Sequence, residues 1–282
     1  MTWRGEVVQC IVVSELRDIA TDADDATSRR ASRFAYAMRA LGKDEPPKRL
    51  WIGSVEYRRT KVIKHDFFAA TAFYESSRGK AVLKAGRTEP FMGFGLSWIG
   101  EFLLRRELRF YRRLSDLPQV PKVLATWGRS GFLHEFVPGA PLSKQRRVPD
   151  GFIEQLQRLI DTLHDRGIAY VDTNKPENIL HGDDDRPHLI DFQISFDIDA
   201  VGRFWPMTAL LRMLARADAY HVLKHKRRFR PDLLTDDEKR RLERRSWPIR
   251  VHRFLTRPYF LVRRGVMGYL HRSGKVLDEG SK

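Results

Sequence analysis

The chain has 282 residues, 42% hydrophobic and 31% charged, which describes a folded, highly charged protein rather than a disordered one. No apolar run reaches the roughly 18 residues that a membrane-spanning helix needs, and a single cysteine, Cys10, excludes an internal disulfide framework and fits a reducing compartment. The formal net charge of +16 is uneven: residues 201–282 hold 21 Lys and Arg against 8 Asp and Glu, whereas the first 200 hold 31 against 28.

Residues 1–13 read as a strand, GEVVQCIVV, too short and too soon interrupted for a secretory signal, so the expected location is the cytoplasm. An acidic loop, DIATDADDATS, follows. SRRASRFAYAMRALG places Phe34, Ala37, Met38 and Leu41 at helical spacing and stops at Gly42. KDEPPKR is a linker, so residues 1–48 are expected to form an N-terminal extension. From Leu50 to Lys84 the texture turns to short β-rich runs, with KHDFFAATAFYES and GKAVLKAG as a hairpin joined near SSRGK. WIGEFLLRRELRFYRRLSDL predicts an amphipathic helix with Phe102, Leu103, Leu108 and Tyr111 in its apolar set. KVLATWG and GFLHEFVPG predict strands.

DGFIEQLQRLIDTLHDRG predicts a long helix with Asp150 as N-cap and Gly167 as stop. NILHG and PHLIDF are short strands around the acidic turn DDDR, and a helical stretch opens at Pro206. The order is α+β: a β-rich small lobe with one helix over 49–137, a helix-rich large lobe over 138–220, and a basic helical extension over 221–282.

Phosphoryl transfer needs a cation for the phosphates, oxygen ligands for Mg²⁺, and a carboxylate beside the incoming hydroxyl. AVLK offers Lys84 at a strand end for the first task. RREL offers Glu107 on the next helix to hold Lys84 extended, with Glu101 a weaker substitute. Glu135 to Val137, in FLHEFVPG, give a backbone edge for an adenine ring. Asp172 follows GIAY, Asn178 lies in PENIL and Asp191 in LIDF. The thirteen residues from Asn178 to Asp191 allow a tight hairpin that brings both oxygens to one metal site.

With these residues in this order, the sequence resembles the protein-kinase-like superfamily over about residues 55–220. LHDRGIAYVDTNKPENIL and HLIDFQ look like its catalytic loop and metal-binding segment. The resemblance implies a two-lobed kinase-like fold that uses ATP and Mg²⁺. It makes Asp172 the catalytic base or hydroxyl-orienting carboxylate, Asn178 and Asp191 the Mg²⁺ ligands, Lys84 the phosphate cation and Glu107 its positioner. Lys175 would contact the transferring phosphate, and Asp218 would brace the catalytic loop from a later helix.

The pattern departs from the family in four places. The Asp-to-Asn spacing is six rather than five, the extra residue lying in TNKP. Tyr170 and Val171 replace the usual His-Arg, and the lost Arg implies no phosphate-reading switch. DFQ replaces DFG, and Gln193 enters positive φ less cheaply than Gly, which disfavours a flipped inactive state. The phosphate-covering stretch KHDFFAATAFY has no glycine; its small residues are Ala69, Ala70 and Thr71.

Only QISFDIDAVGRFW separates Phe192 from the helix at Pro206, too little chain for a peptide groove. A sugar, glycolipid or other small acceptor is therefore expected. In PYFLVRRGVMGYLHR, Tyr259, Val262, Val266 and Leu270 face away from Arg263, Arg264 and Arg272, so residues 221–272 fit an anionic membrane surface or pack on the large lobe. His221 and His225 lack the acidic partner of an HExxH motif and read as surface or core residues rather than ligands. The short segment and basic tail resemble bacterial lipopolysaccharide-core sugar kinases. An atypical protein kinase with its tail on RNA, and a non-catalytic scaffold that keeps a nucleotide pocket, are the competing expectations.

Overall fold

The computed structural model describes residue 36, residues 38–90 and residues 97–243. These form two compact units, one of the described residues up to Arg112 together with Lys122–Phe136, the other of Arg113–Pro121 and the described residues from Val137 to Glu243. The expected strand GEVVQCIVV and the expected helix PYFLVRRGVMGYLHR lie outside the described residues.

The first unit is built on a six-stranded antiparallel sheet in the order β1-β2-β3-β4-β6-β5. Its strands are β1 (Arg49–Ile52), β2 (Val55–His65), β3 (Ala69–Ser76), β4 (Gly79–Gly86), β5 (Val123–Trp127) and β6 (Gly131–Glu135), with helix α1 (Ser97–Arg113) between β4 and β5. In a strand successive side chains alternate faces. On β4, Ala81 and Leu83 join a core with Leu50, Tyr57, Ala72, Tyr74, Ala125 and Leu133, which leaves Val82 and Lys84 on the opposite face. KHDFFAATAFYES divides into the end of β2, a turn at Asp66–Phe68, and β3. Residues 38–48 knit onto this sheet: Ala40 N–H donates to Asp66 O at 2.7 Å, and the Tyr74 hydroxyl to Pro47 O at 2.6 Å.

The α1 face differs from its sequence expectation. Leu104, Glu107, Leu108, Phe110 and Tyr111 are buried, whereas Phe102 is 61% exposed. Close approach sets this rotation. Gly100 sits against the Arg87 backbone just past β4, and a methyl there would run into that backbone. Residues one and two turns on, at Leu104 and Glu107, therefore face the sheet.

The second unit contains α2 (Phe152–Asp165) packed against the 25-residue helix α4 (Trp205–Phe229). A three-stranded sheet, ordered β10-β9-β7, joins β7 (Gly139–Pro141), β9 (Ile179–Gly182) and β10 (Pro187–Leu189). A two-residue ladder joins β8 (Ile168–Ala169) to β11 (Phe196–Asp197), which runs into the short α3 (Ile198–Val201). A last helix, α5, spans Asp236–Glu243. Six apolar residues of α2, Phe152, Ile153, Leu156, Leu159, Ile160 and Leu163, form its buried stripe. Gly167 ends the helix with φ 75°. Asp150 is not its cap: Gly151 holds that position, and Asp150 pairs instead with Arg230. No described helix is long and apolar enough to cross a membrane.

Candidate active site

In the first unit, Lys84 and Glu107 form an ion pair from β4 to α1, with side-chain exposures of 12% and 2%. Glu101, the weaker candidate, turns outward and pairs with Arg105 and Arg129. The pair follows from the strand alternation that puts Lys84 on the helix-facing side and from the Gly100 contact that turns Glu107 toward it.

On the neighbouring strand, His134 stands across from Val82 and stacks on Tyr111, centroids 5.1 Å apart and planes 17° apart. Its Nδ1 donates to the Glu135 carbonyl at 2.7 Å, and burial together with the Lys84 charge lowers its pKa to about 3. The backbone edge expected to hold adenine is thus partly engaged: Glu135 O accepts from His134, and Phe136 N–H donates to Lys80 O at 3.2 Å. Val137 belongs to the second unit.

The glycine-free stretch makes a tight turn on its own carboxylate. Asp66 Oδ1 accepts from the N–H groups of Phe68 and Ala69 at 3.0 and 2.9 Å. Arg87, 1% exposed, donates to Phe67 O at 2.9 Å and lies 4.0 Å over the Phe67 ring. A glycine-rich loop leaves such N–H groups open to phosphate oxygens, and here two of them are satisfied internally by an acidic side chain.

In the second unit the loop before β9 converges on one oxygen. Asp172 Oδ2 accepts from Lys175 Nζ at 2.7 Å and from Asn178 Nδ2 at 2.8 Å. Asp172 and Asn178 are buried, whereas the Lys175 side chain is 56% exposed. Burial raises the Asp172 pKa, the Lys175 contact opposes the rise, and the charge of Asp191 adds to it. The extra residue is absorbed by two successive turns: Lys175 N–H donates to Asp172 O at 2.9 Å, and Asn178 N–H to Lys175 O at 3.1 Å. Ile179 then pairs with Leu189 across the β9–β10 hairpin, and Ile190 N–H donates to Asn178 O at 3.1 Å, so Asp191 emerges beside Asn178.

Two backbone conformations frame this loop. Asp191 has φ 66°, tolerable for a short polar residue. Val171 has φ 69° and ψ −39°, with Asp172 N–H donating to Tyr170 O at 2.8 Å, the rare γ-turn that costs a β-branched residue most. Asp218 holds that turn. Its Oδ2 accepts from Tyr170 N–H at 2.8 Å, its Oδ1 from Val171 N–H at 2.9 Å and Thr173 Oγ1 at 2.6 Å, and His164 Nε2 lies 3.2 Å from Oδ2. His225, far from any metal-ligand role, donates from Nε2 to Thr173 O at 2.7 Å.

A metal requires oxygen donors of a particular kind. No group of three or more His, Cys, Asp or Glu able to cage an ion occurs among the described residues. Mg²⁺ usually takes one or two protein oxygens and completes its shell with water and phosphate. The Asn178 amide nitrogen is spent on Asp172, and its Oδ1 and the Asp191 carboxylate are oxygen donors of the type that Mg²⁺ takes.

No protein-family model matches the chain, and no curated protein matches it. Solved structures do. A Rio2 kinase from Chaetomium thermophilum shares 20% identity at a TM-score of 0.46, covering 60% of this chain and 56% of that one. The Rio2 kinase-ADP/Mg²⁺-phosphoaspartate complex from the same organism gives 18% and 0.48, covering 66% and 62%. The BubR1 kinase domain gives 17% and 0.42, covering 66% of each. The chain spans less than two thirds of the length of each of these structures. The fold is α+β, with an antiparallel sheet that carries one helix in the first unit and mainly helices in the second.

Sequence reasoning missed Tyr170. Where the resemblance has a histidine, this buried ring stacks edge-on with Phe192 at 5.2 Å, and its hydroxyl donates to the carbonyls of Ile190 and Asn178. Its own carbonyl accepts from Ser195 Oγ at 3.0 Å. Tyr170 thereby ties the Asp172 loop to the segment around Asp191. The signal was present as a large hydroxylated ring in an otherwise apolar β8 run, and it was read only as a departure.

Proposed function

We propose that this chain is an ATP- and Mg²⁺-dependent phosphotransferase whose acceptor is the hydroxyl of a sugar, glycolipid or other non-protein molecule. The observation that carries the reading is the convergence at Asp172, where Lys175 and Asn178 meet one carboxylate oxygen beside Asp191. Asp172 orients the acceptor hydroxyl and takes its proton, and its raised pKa suits a group that must accept a proton. Asn178 Oδ1 and Asp191 would hold a Mg²⁺, which would supply neutralisation of charge on the nucleotide phosphates. Lys84, paired with Glu107 in the first unit, is a cation of the kind that takes nucleotide phosphates. Lys175, tethered at one end by Asp172, lends its exposed ammonium to the transferring group.

The acceptor class rests on the brief chain between Phe192 and α4, which leaves no platform for a peptide. A lipid-linked sugar of the lipopolysaccharide-core kind, met at the inner face of the cytoplasmic membrane, is the acceptor this reading favours. The basic sequence of residues 221–272 supplies charge for such a surface. The test is ATP turnover on lipid-linked sugar extracts by wild type and Asp191→Asn. Turnover confined to wild type is the expected result, and equal turnover in both refutes the assignment.

One observation favours a second reading, a non-catalytic protein that binds nucleotide. Asp66 occupies the N–H groups of the hairpin turn that would otherwise cover phosphates. That reading predicts a nucleotide-dependent rise in melting temperature without transfer to any acceptor in a labelled-ATP screen.

A further inference from the structure

The described surface of the second unit carries a group of large apolar side chains that the chemistry at Asp172 does not use. Trp205 is 81% exposed, Phe204 53%, Val201 48%, Ile194 47% and Met213 39%. They are not on a loose loop. Ile198 N–H donates to Gly167 O at 3.0 Å, Gly202 N–H to Ile198 O at 2.8 Å, and Met207 N–H to Phe204 O at 3.0 Å. Asp197 and Asp199 are both gripped by Arg113 at 2.6 Å. The backbone is fixed, and the side chains stand out from it.

The surrounding charge has one sign. Residues 200–217 contain Arg203, Arg212 and Arg216 and no carboxylate. On α4, Trp205, Ala209, Arg212, Met213 and Arg216 are all exposed, the spacing of a single helical stripe. The two acidic groups of residues 194–213, Asp197 and Asp199, are both taken up by Arg113, and Asp199 by Arg203 as well. Aromatic and aliphatic side chains interleaved with guanidinium groups match an anionic lipid surface, where the apolar groups enter the headgroup boundary and the arginines stay with the phosphates.

Other occupants fit less well. Two copies related by a two-fold axis would set these arginines against one another. Nucleic acid prefers flat rings for stacking, and three of the five protruding side chains, Ile194, Val201 and Met213, offer none.

We propose that Ile194, Val201, Phe204, Trp205 and Met213, with Arg203, Arg212 and Arg216, form the face by which this protein rests on an anionic membrane. The knob begins three residues after Asp191 in sequence, so the contact deepens the functional reading above: it would bring the lipid carrying the acceptor hydroxyl to the same unit that holds Asp172. It rests on that reading only for its purpose, not for its physics.

The experiment uses the full chain and vesicles of phosphatidylcholine, with or without phosphatidylglycerol, in the absence of ATP. Wild type is expected to sediment with the phosphatidylglycerol vesicles. Phe204→Ser/Trp205→Ser and Arg212→Glu/Arg216→Glu are each expected to weaken that binding about tenfold or more, with unchanged melting temperature. The emission difference between wild type and Trp205→Phe should shift to the blue on vesicles, which a role for the basic tail alone would not produce. Wild-type-like vesicle binding by Phe204→Ser/Trp205→Ser overturns the proposal. So does binding to RNA in place of vesicles, or a dimer that the same variant dissociates. Because binding is read without ATP, loss of phosphotransfer with vesicle binding intact would refute the functional reading alone.

Discussion

Replacing Asp218 with asparagine should unseat the loop that carries Asp172. The Asp218 side chain is fully buried and accepts from Tyr170 N–H, Val171 N–H and the Thr173 hydroxyl, with His164 alongside. An asparagine retains one acceptor oxygen. Placed toward Val171 and Thr173, it turns an N–H₂ group onto the Tyr170 N–H at a fully buried site. One hydrogen bond to a charged group is lost, about 1.5–3 kcal/mol, and a buried donor is left facing a donor, about 1–3 kcal/mol more. A loss of about 3–5 kcal/mol follows, or a fall in melting temperature on the order of 10 °C. Thr173→Val removes a single donor and should cost about 1 kcal/mol. The assay is thermal unfolding of wild type, both single variants and the double variant, with ATP turnover measured well below each midpoint. The two substitutions should be non-additive, since they share one carboxylate. An Asp218→Asn melting point within about 1 °C of wild type, or strict additivity, would show that this carboxylate does not hold the γ-turn.

Other expectations are separable from that one. Lys84→Met strands Glu107 in a 2%-exposed position without its lysine, and should cost about 3–5 kcal/mol, much of it recovered in Lys84→Met/Glu107→Leu while turnover stays lost; an equally unstable double variant would argue against the pair. Gly100→Ala pushes α1 off the Arg87 backbone and should destabilise by about 1–3 kcal/mol while lowering turnover, read by urea unfolding and steady-state rates. His134 is neutral in the folded protein down to about pH 3, whereas the unfolded chain protonates it near 6.5. Its contribution is therefore fully present above pH 6.5 and lost as the pH falls toward 3, by up to about 1.4 kcal/mol per unit. His134→Phe should flatten the dependence of the urea midpoint between pH 6.5 and 5, and an unchanged slope would count against the buried neutral imidazole. Tyr170→Phe keeps the ring and loses the hydroxyl that joins Ile190 to Asn178; a cost of about 1–2 kcal/mol and a lower turnover number with little change in nucleotide affinity are expected.

How much was legible in advance depended on whether a residue acts through local pattern or through distant contact. Lys84 and Glu107 were legible because a strand end and a helix turn fix where each side chain points. The β9–β10 hairpin was legible from its turn residues, and it brings the Ile190 backbone to that of Asn178. The α1 face was misjudged at Phe102 because hydrophobicity alone does not know that a glycine lets the helix close on Arg87. Asp150 looked like a cap, yet Arg230, eighty residues on, takes its carboxylate, and a left-handed glycine starts the helix without help. The turn at Asp66 was hidden for a similar reason: an aspartate among aromatics reads as a loop residue, and only the fold shows its oxygen closing on two amides.

The stretch from Phe192 to Trp205 has a consequence for how such a protein could be governed. Many phosphotransferases are turned on when a hydroxyl in this region is itself phosphorylated and the region changes order. Here the only hydroxyl side chain between those two residues is Ser195, and it is wholly buried, donating to Tyr170 O while its N–H reaches Phe192 O. Two residues later the chain is already laddered to β8 and gripped by Arg113. A modifying enzyme finds no accessible hydroxyl to write on, and no slack segment exists for the mark to order. Switching by phosphorylation within this stretch is thereby closed to the protein.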